Sequence, residues 1–175
     1  SDCLVGSEMC IRDRLNAALE TGLPVWVGLS CCDSKFDNSV IGRNFRAEKE
    51  KSLIYDENKY KDQPKYLPED KIILLEDIIK SLTSLGGDVY GIMHTWFQDS
   101  IGGLKILKNN WKGPIMFYPE IHKFDTNTHK AIITMTEEEF SNSILELIDD
   151  QIQIVGGCCG VNDKHLKRLI QSISE

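Results

Sequence analysis

Val155-Gly156-Gly157-Cys158-Cys159-Gly160 follows directly on an apolar run that begins at Ile152, and its reading decides the fold. Ile152, Ile154 and Val155 predict a short buried strand. The glycines behind it let the backbone turn sharply and take φ > 0 without steric cost. On a regular strand adjacent side chains point to opposite faces, so two neighbouring cysteines would diverge. On a glycine-freed turn their sulfurs can converge, and two convergent thiolates at a strand end are half of a tetrahedral zinc site. Two other readings stand beside this one: cysteines packed as small hydrophobes, and a strained vicinal disulfide.

Upstream, segments of strand and helix character alternate. Leu15 to Thr21 reads as the end of a helix, closed by Gly22 in the C-cap position. Leu23 to Leu29 is an apolar strand opened by Pro24, a tolerated place for proline. Ile72, Ile73, Leu75, Ile78, Ile79 and Leu82 have helical spacing, and Gly86-Gly87 ends that helix. Val89 to Met93 is a second strand, Ile101 to Lys108 a helix, and Pro114 to Tyr118 a third strand. Thr136-Glu137-Glu138-Glu139 is a capping box opening a helix through Ile148. After the strand Ile152 to Val155, Asn162 caps a terminal amphipathic helix carrying Leu166, Leu169, Ile170 and Ile173. Strands alternating with helices imply an α/β fold with a parallel sheet, its strands near Val25, Val89, Ile115 and Ile154 adjacent in that order. Residues 33–70 break the pattern: they are polar, without a clean period, and long for a strand-to-helix connection.

Four of these stretches, in this order, resemble the homocysteine S-methyltransferase family, zinc enzymes built on a (β/α)8 TIM-type barrel. The family includes betaine–homocysteine methyltransferase and the homocysteine-binding module of methionine synthase. Leu23-Pro24-Val25-Trp26-Val27-Gly28-Leu29-Ser30 is similar to its fifth strand, and Gly87-Asp88-Val89-Tyr90-Gly91-Ile92-Met93-His94-Thr95 to its sixth. Phe117-Tyr118-Pro119-Glu120 sits where the family has Tyr-Pro-Asn after the seventh strand, and the Gly-Gly-Cys-Cys-Gly turn matches its C-terminal signature. The resemblance implies the C-terminal half of the barrel, about strands 5–8, over residues 15–175, with 33–70 as an irregular insertion. A complete barrel needs roughly 250 residues, and the chain has 175. The chain lacks an initiator Met, and residues 1–14 read as an adapter-like, non-native tail. The alternative for that tail is an ordinary amphipathic helix start.

Setting the tail aside removes Cys3 and Cys10, leaving two vicinal pairs, Cys31-Cys32 and Cys158-Cys159, a poor disulfide framework. There is no signal peptide and no apolar run near 18 residues, so the expectation is a soluble, cytoplasmic protein without a membrane partner. A net charge of −7 and the absence of a basic stripe with interleaved aromatics argue against nucleic acid.

The resemblance also implies a site. The family holds Zn2+ with the two cysteines of the glycine-flanked turn, here Cys158 and Cys159, and a third cysteine in an Asn-Cys pair closing the sixth strand. Met93-His94 occupies that place, and a neutral imidazole ligates zinc well, so His94 is expected to replace the missing thiolate. The alternative for His94 is a strand-end histidine bonded to a neighbouring carboxylate or backbone group. Cys31 and Cys32 offer another third ligand, with core packing as the favoured reading. Glu120, a carboxylate where the family has an amide, is a candidate contact for the amino group of an amino-acid substrate, or is simply solvated. His122, His129 and His165 read as surface residues or as residues that support the ligands from behind. The implied activity is a zinc-dependent methyl transfer from an unidentified donor to the thiol of homocysteine, forming methionine. A non-catalytic zinc- or partner-binding relative, and a methyltransferase for another thiol, are the competing expectations.

Overall fold

The computed structural model describes residues 6–33, 39–42, 73–125 and 130–174. Helix α1 (Gly6–Leu19) leads into strand β1 (Trp26–Leu29), and Gly22 between them has φ +69°, the left-handed value that suits glycine at a helix exit. The helix runs back through much of the stretch set aside as a tail. A short antiparallel pair follows, β2 (Cys31–Asp33) and β3 (Val40–Gly42), both at the start of the polar region. The remainder of that insertion, and His129, lie outside the described residues.

Helix α2 (Leu75–Thr83) buries Leu75, Ile79 and Leu82, the positions its periodicity predicts. It ends three residues before Gly86, and Gly86 and Gly87 carry the chain through positive φ into strand β4 (Val89–Trp96). Helix α3 (Phe97–Asn110) is longer than the predicted segment at both ends. Strand β5 (Ile115–Glu120) leads into an antiparallel pair the sequence did not announce, β6 (His122–Asp125) and β7 (Lys130–Ile133). Helix α4 (Glu137–Leu145) begins in the predicted capping box: Thr136 Oγ1 accepts from the Glu139 N–H at 3.2 Å, and the Glu139 carboxylate accepts from the Thr136 N–H at 2.8 Å. Strand β8 (Ile152–Val155) and helix α5 (Asp163–Ser174) complete the chain, and Asn162 Oδ1 accepts from the Lys164 and His165 N–H groups at the mouth of α5.

The main sheet has the order β1-β4-β5-β8, and all its neighbours are parallel, as expected. Register and pleat give its two faces different jobs. Tyr90, Ile92, Ile115, Phe117 and Ile152 lie on the face packed against the helices, buried in one core with Ile79, Leu104, Leu107 and Phe140 from α2, α3 and α4. Gly28, Gly91, Met116 and Ile154 form a row across the opposite face, with Met93, Tyr118 and Glu120 further along it. Of the terminal helix's apolar residues, Leu169 is buried, whereas Ile170 and Ile173 are 64% and 56% exposed. No helix among the described residues is long and apolar enough to cross a membrane.

Candidate metal centre

The cysteine turn is fastened to the end of β5 by three backbone hydrogen bonds. Gly156 N–H donates to Phe117 O at 3.1 Å, Cys158 N–H to Pro119 O at 3.0 Å, and Ile121 N–H to Cys159 O at 2.9 Å. These continue the β5–β8 pairing past the last strand residue and hold both thiols beside Glu120. The glycines serve this in different ways. Gly160 has φ +90°, so it makes the left-handed turn. Gly156 and Gly157 do not take positive φ; they are needed for close approach, since a Cβ at either would be driven into the Tyr118 ring or the Val161 side chain.

His94 reaches the turn through a bulge in β4. Met93 pairs with Tyr118 and Trp96 with Glu120, so β4 carries one residue more than β5 between those pairs. Regular alternation would put His94 on the helix face with Ile92. Instead it takes φ +49°, the one non-glycine residue among those described with positive φ, and its ring turns toward Cys158. The buried Thr95 pins the bulge: its hydroxyl donates to Met93 O and accepts from the Cys31 N–H, both at 3.0 Å.

The result is a compact donor group. The ligand atoms of His94, Glu120, Cys158 and Cys159 all lie within 4.8 Å of one another, with Glu120 only 6% exposed. Cys158 Sγ and Cys159 Sγ are 3.8 Å apart, and Cys158 Sγ shares a 2.9 Å hydrogen bond with His94 Nδ1. A tetrahedral ion with Zn–S near 2.3 Å has a sulfur–sulfur edge of about 3.8 Å, so the thiol pair already has the spacing zinc requires. The sulfur–nitrogen edge of such an ion is about 3.6 Å, so the histidine must withdraw by about 0.7 Å. Two thiols, an imidazole and a carboxylate are all zinc donors, and the residues therefore fit this metal. The Cys159 thiol is pushed above its ordinary range, first by partial desolvation in the packed turn, although the side chain also reaches solvent. The hydrogen bond and charge of Cys158 and the charge of Glu120 push the same way, and a cation between these groups reverses that repulsion.

None of Cys31, Cys32, Cys158 and Cys159 forms a disulfide. The buried Cys31 sulfur fills the space where Gly103 lacks a side chain. Neither Cys31 nor Cys32 belongs to the donor group, which leaves the core-packing reading of Cys31 as the one the geometry matches. Of the two places expected for His165, burial removes the surface one: it is 2% exposed, with Nδ1 at 2.8 Å from Asn162 Oδ1 and its ring edge-on to Phe140. His122 is half-buried beside Gly160, outside the donor group. Two features were missed from sequence. The Glu120 carboxylate shares one compact group with His94, Cys158 and Cys159, and Thr95 holds the bulge. Strand-end position signalled the first; nothing in the sequence signalled the second.

A search of curated proteins finds no match to the chain. The family model described as homocysteine S-methyltransferase matches residues 74–173, more than half of the chain, from α2 through α5 and including all four donors.

Proposed function

The chain belongs to the homocysteine S-methyltransferase family, and on that premise we propose that it is a zinc-dependent S-methyltransferase that methylates homocysteine. In this reading β1, β4, β5 and β8 are strands 5–8 of a (β/α)8 barrel, and the protein works in the reducing cytosol. The observation that carries the proposal is the convergence of His94, Cys158 and Cys159 at the C-terminal end of the parallel strands, where such barrels place their chemistry.

Cys158, Cys159 and His94 would hold the metal, and zinc so held supplies a Lewis acid that keeps a thiol deprotonated at neutral pH. The chain's own residues do the rest. The β5 hydrogen bonds fix the two sulfurs at 3.8 Å, so little is lost in ordering them on metal entry. The β4 bulge, with His94 at φ +49°, brings the imidazole to them. His94 and Cys159 are exposed, which leaves the site an approach from solvent for substrate and donor.

The test is zinc content and methionine formation by the full-length protein with sulfonium, quaternary ammonium and cobalamin-bound methyl donors. C158A and C159A should each lose zinc and activity together. Unchanged zinc in C158A refutes the metal centre. Zinc without methionine from any donor favours a non-catalytic relative or another thiol, and the Cys-to-His change at 94 is the feature that supports keeping that reading.

A further inference from the structure

Thr95 follows His94 on β4 and is fully buried, with a hydroxyl that makes two hydrogen bonds of 3.0 Å, one to Met93 O and one from the Cys31 N–H. Cys31 opens β2, at the point where the polar region interrupts the alternation of strands and helices. We propose that Thr95 is a positioning residue: through these two bonds it ties His94 to the β2–β3 pair, so that the start of the polar region sets where the imidazole stands at the metal centre. The inference rests on the zinc reading above and adds to it a residue and a segment that the reading does not use.

The bond to Met93 O spans His94, closing a short ring whose backbone torsions include that residue's φ and ψ. His94 stands at φ +49°, and a non-glycine residue keeps such a conformation only where its surroundings over-determine it. The Cys31 N–H supplies the second constraint. It occupies a lone pair of the hydroxyl and so directs the single hydroxyl proton to Met93 O. The threonine methyl restricts the side chain further, since a β-branched residue is stiff at χ1. Burial keeps water from either bond. Cys31 is itself a firm anchor. Its sulfur sits in the notch at Gly103 of α3, where an added Cβ would come within 2.6 Å of it. Across the β2–β3 pair Gly42 opposes Cys31, and the Gly42 N–H donates to Ile73 O at 3.0 Å, just before α2. The β2–β3 pair is thus held by α2 and α3. Thr95 passes its position on to His94, whose Nδ1 lies 2.9 Å from Cys158 Sγ.

A double-mutant cycle between Thr95 and His94 tests this in the full-length protein, with zinc affinity read by competition with a chromophoric chelator. T95V keeps the branched shape and removes the hydroxyl, and it should weaken zinc binding about 10- to 100-fold, the loss typical when a group supporting a metal ligand is removed. T95S keeps the hydroxyl and should stay within about threefold of wild type. In the H94A background T95V should cost less than about twofold, because the ligand it positions is already gone. A Thr95 that merely stabilised the fold would weaken zinc as much without the imidazole as with it, and that result overturns the proposal. Unchanged zinc affinity in T95V, or T95S as weak as T95V, also overturns it. If T95V does not fold, amide exchange in wild type and H94A decides. Coupling is reciprocal, so zinc should slow exchange of the Cys31 N–H more in wild type than in zinc-saturated H94A; equal slowing overturns the proposal. Those results with C158A still losing zinc leave the metal centre standing, whereas zinc retained in C158A removes the centre and the proposal with it.

Discussion

Cys158 Sγ lies 2.9 Å from His94 Nδ1 although β4 and β8, the strands that deliver them, do not touch: β5 lies between. The contact therefore crosses the end of β5, and two irregularities make it possible. One is the bulge in β4, which turns His94 out of the sheet's alternation; the other is the glycine turn after β8, which folds Cys158 back over Pro119.

His94 holds a backbone conformation that costs a non-glycine residue about 1–2 kcal/mol, with φ at +49°. H94G removes that cost and H94A keeps it, while both remove the imidazole. In the metal-free protein H94G should be about 1 kcal/mol more stable than H94A by denaturant unfolding. Both should lose zinc affinity to the same extent. If H94A equals H94G in stability, the bulge carries no strain at this residue.

Close approach, and not turn conformation, is what position 156 requires. In G156A the new methyl is driven into the Tyr118 ring, on the sheet face that leads to Glu120. The expected cost is about 1–3 kcal/mol in unfolding, the usual penalty for overpacking. Zinc affinity should fall with it, since the Gly156–Phe117 bond begins the register of the cysteine turn. Y118A should recover part of the loss by removing the obstacle. G156A as stable as wild type, measured by thermal or urea unfolding, would show that the ring moves aside freely.

The strands and their order were legible because the parallel strands of this sheet are apolar runs bounded by glycine or proline, and parallel strands read that way. Ile152–Val155 shows it best, with the same ends in sequence and structure. The capping box at Thr136 was legible for a different reason: its chemistry is local and complete within four residues. Helix α3 was clipped at its start because Phe97-Gln98-Asp99-Ser100 follows the strand without a spacer, and Trp96, where it begins, makes no side-chain cap. The β6–β7 pair escaped notice because it carries exposed Ile132 and Ile133 beside charged residues, with no alternation that marks a buried face. At the site, the cysteines and His94 were found by their place at strand ends. The bulge was not, since one extra residue in a strand leaves no compositional trace.

Cys31 and the vicinal pair at 158–159 should differ sharply in reactivity. Burial pushes the Cys31 thiol up to about 12 against an ordinary 9.0, only partly opposed by its hydrogen bond with Thr95. In the metal-free native protein at about pH 8, near the ordinary thiol range, iodoacetamide should label Cys159 and Cys158 and spare Cys31, as read by peptide mass spectrometry; zinc should protect the pair. The same shift has a stability consequence. The folded chain keeps the Cys31 proton where the unfolded chain gives it up, so the contribution is complete below about pH 9 and is lost as pH rises toward 12. C31A should flatten that alkaline decline. Rapid labelling of Cys31 in the native state, or an identical alkaline slope in C31A, contradicts the burial argument.

His94→Cys restores the family's ligand and tests whether residue 94 reaches the metal. The substitution adds a negative charge to the donor set, which makes a second anion, the homocysteine thiolate, harder to accept. The apparent pKa for homocysteine binding should therefore rise in the variant, because the metal stabilises the thiolate less. Reactivity changes the other way but weakly: with a Brønsted slope of about 0.4–0.5, a one-unit rise in thiol pKa gives only about a threefold faster attack. Binding is thus the better signal. A cysteine also reaches less far than an imidazole, and the β4 bulge is shaped for the longer side chain, so zinc occupancy must be shown to be full in both proteins. The measurement is a pH titration of homocysteine binding to zinc-loaded wild type and H94C. A midpoint that does not move, with zinc full in both, places His94 outside the coordination sphere and leaves the 2.9 Å contact with Cys158 as an ordinary hydrogen bond.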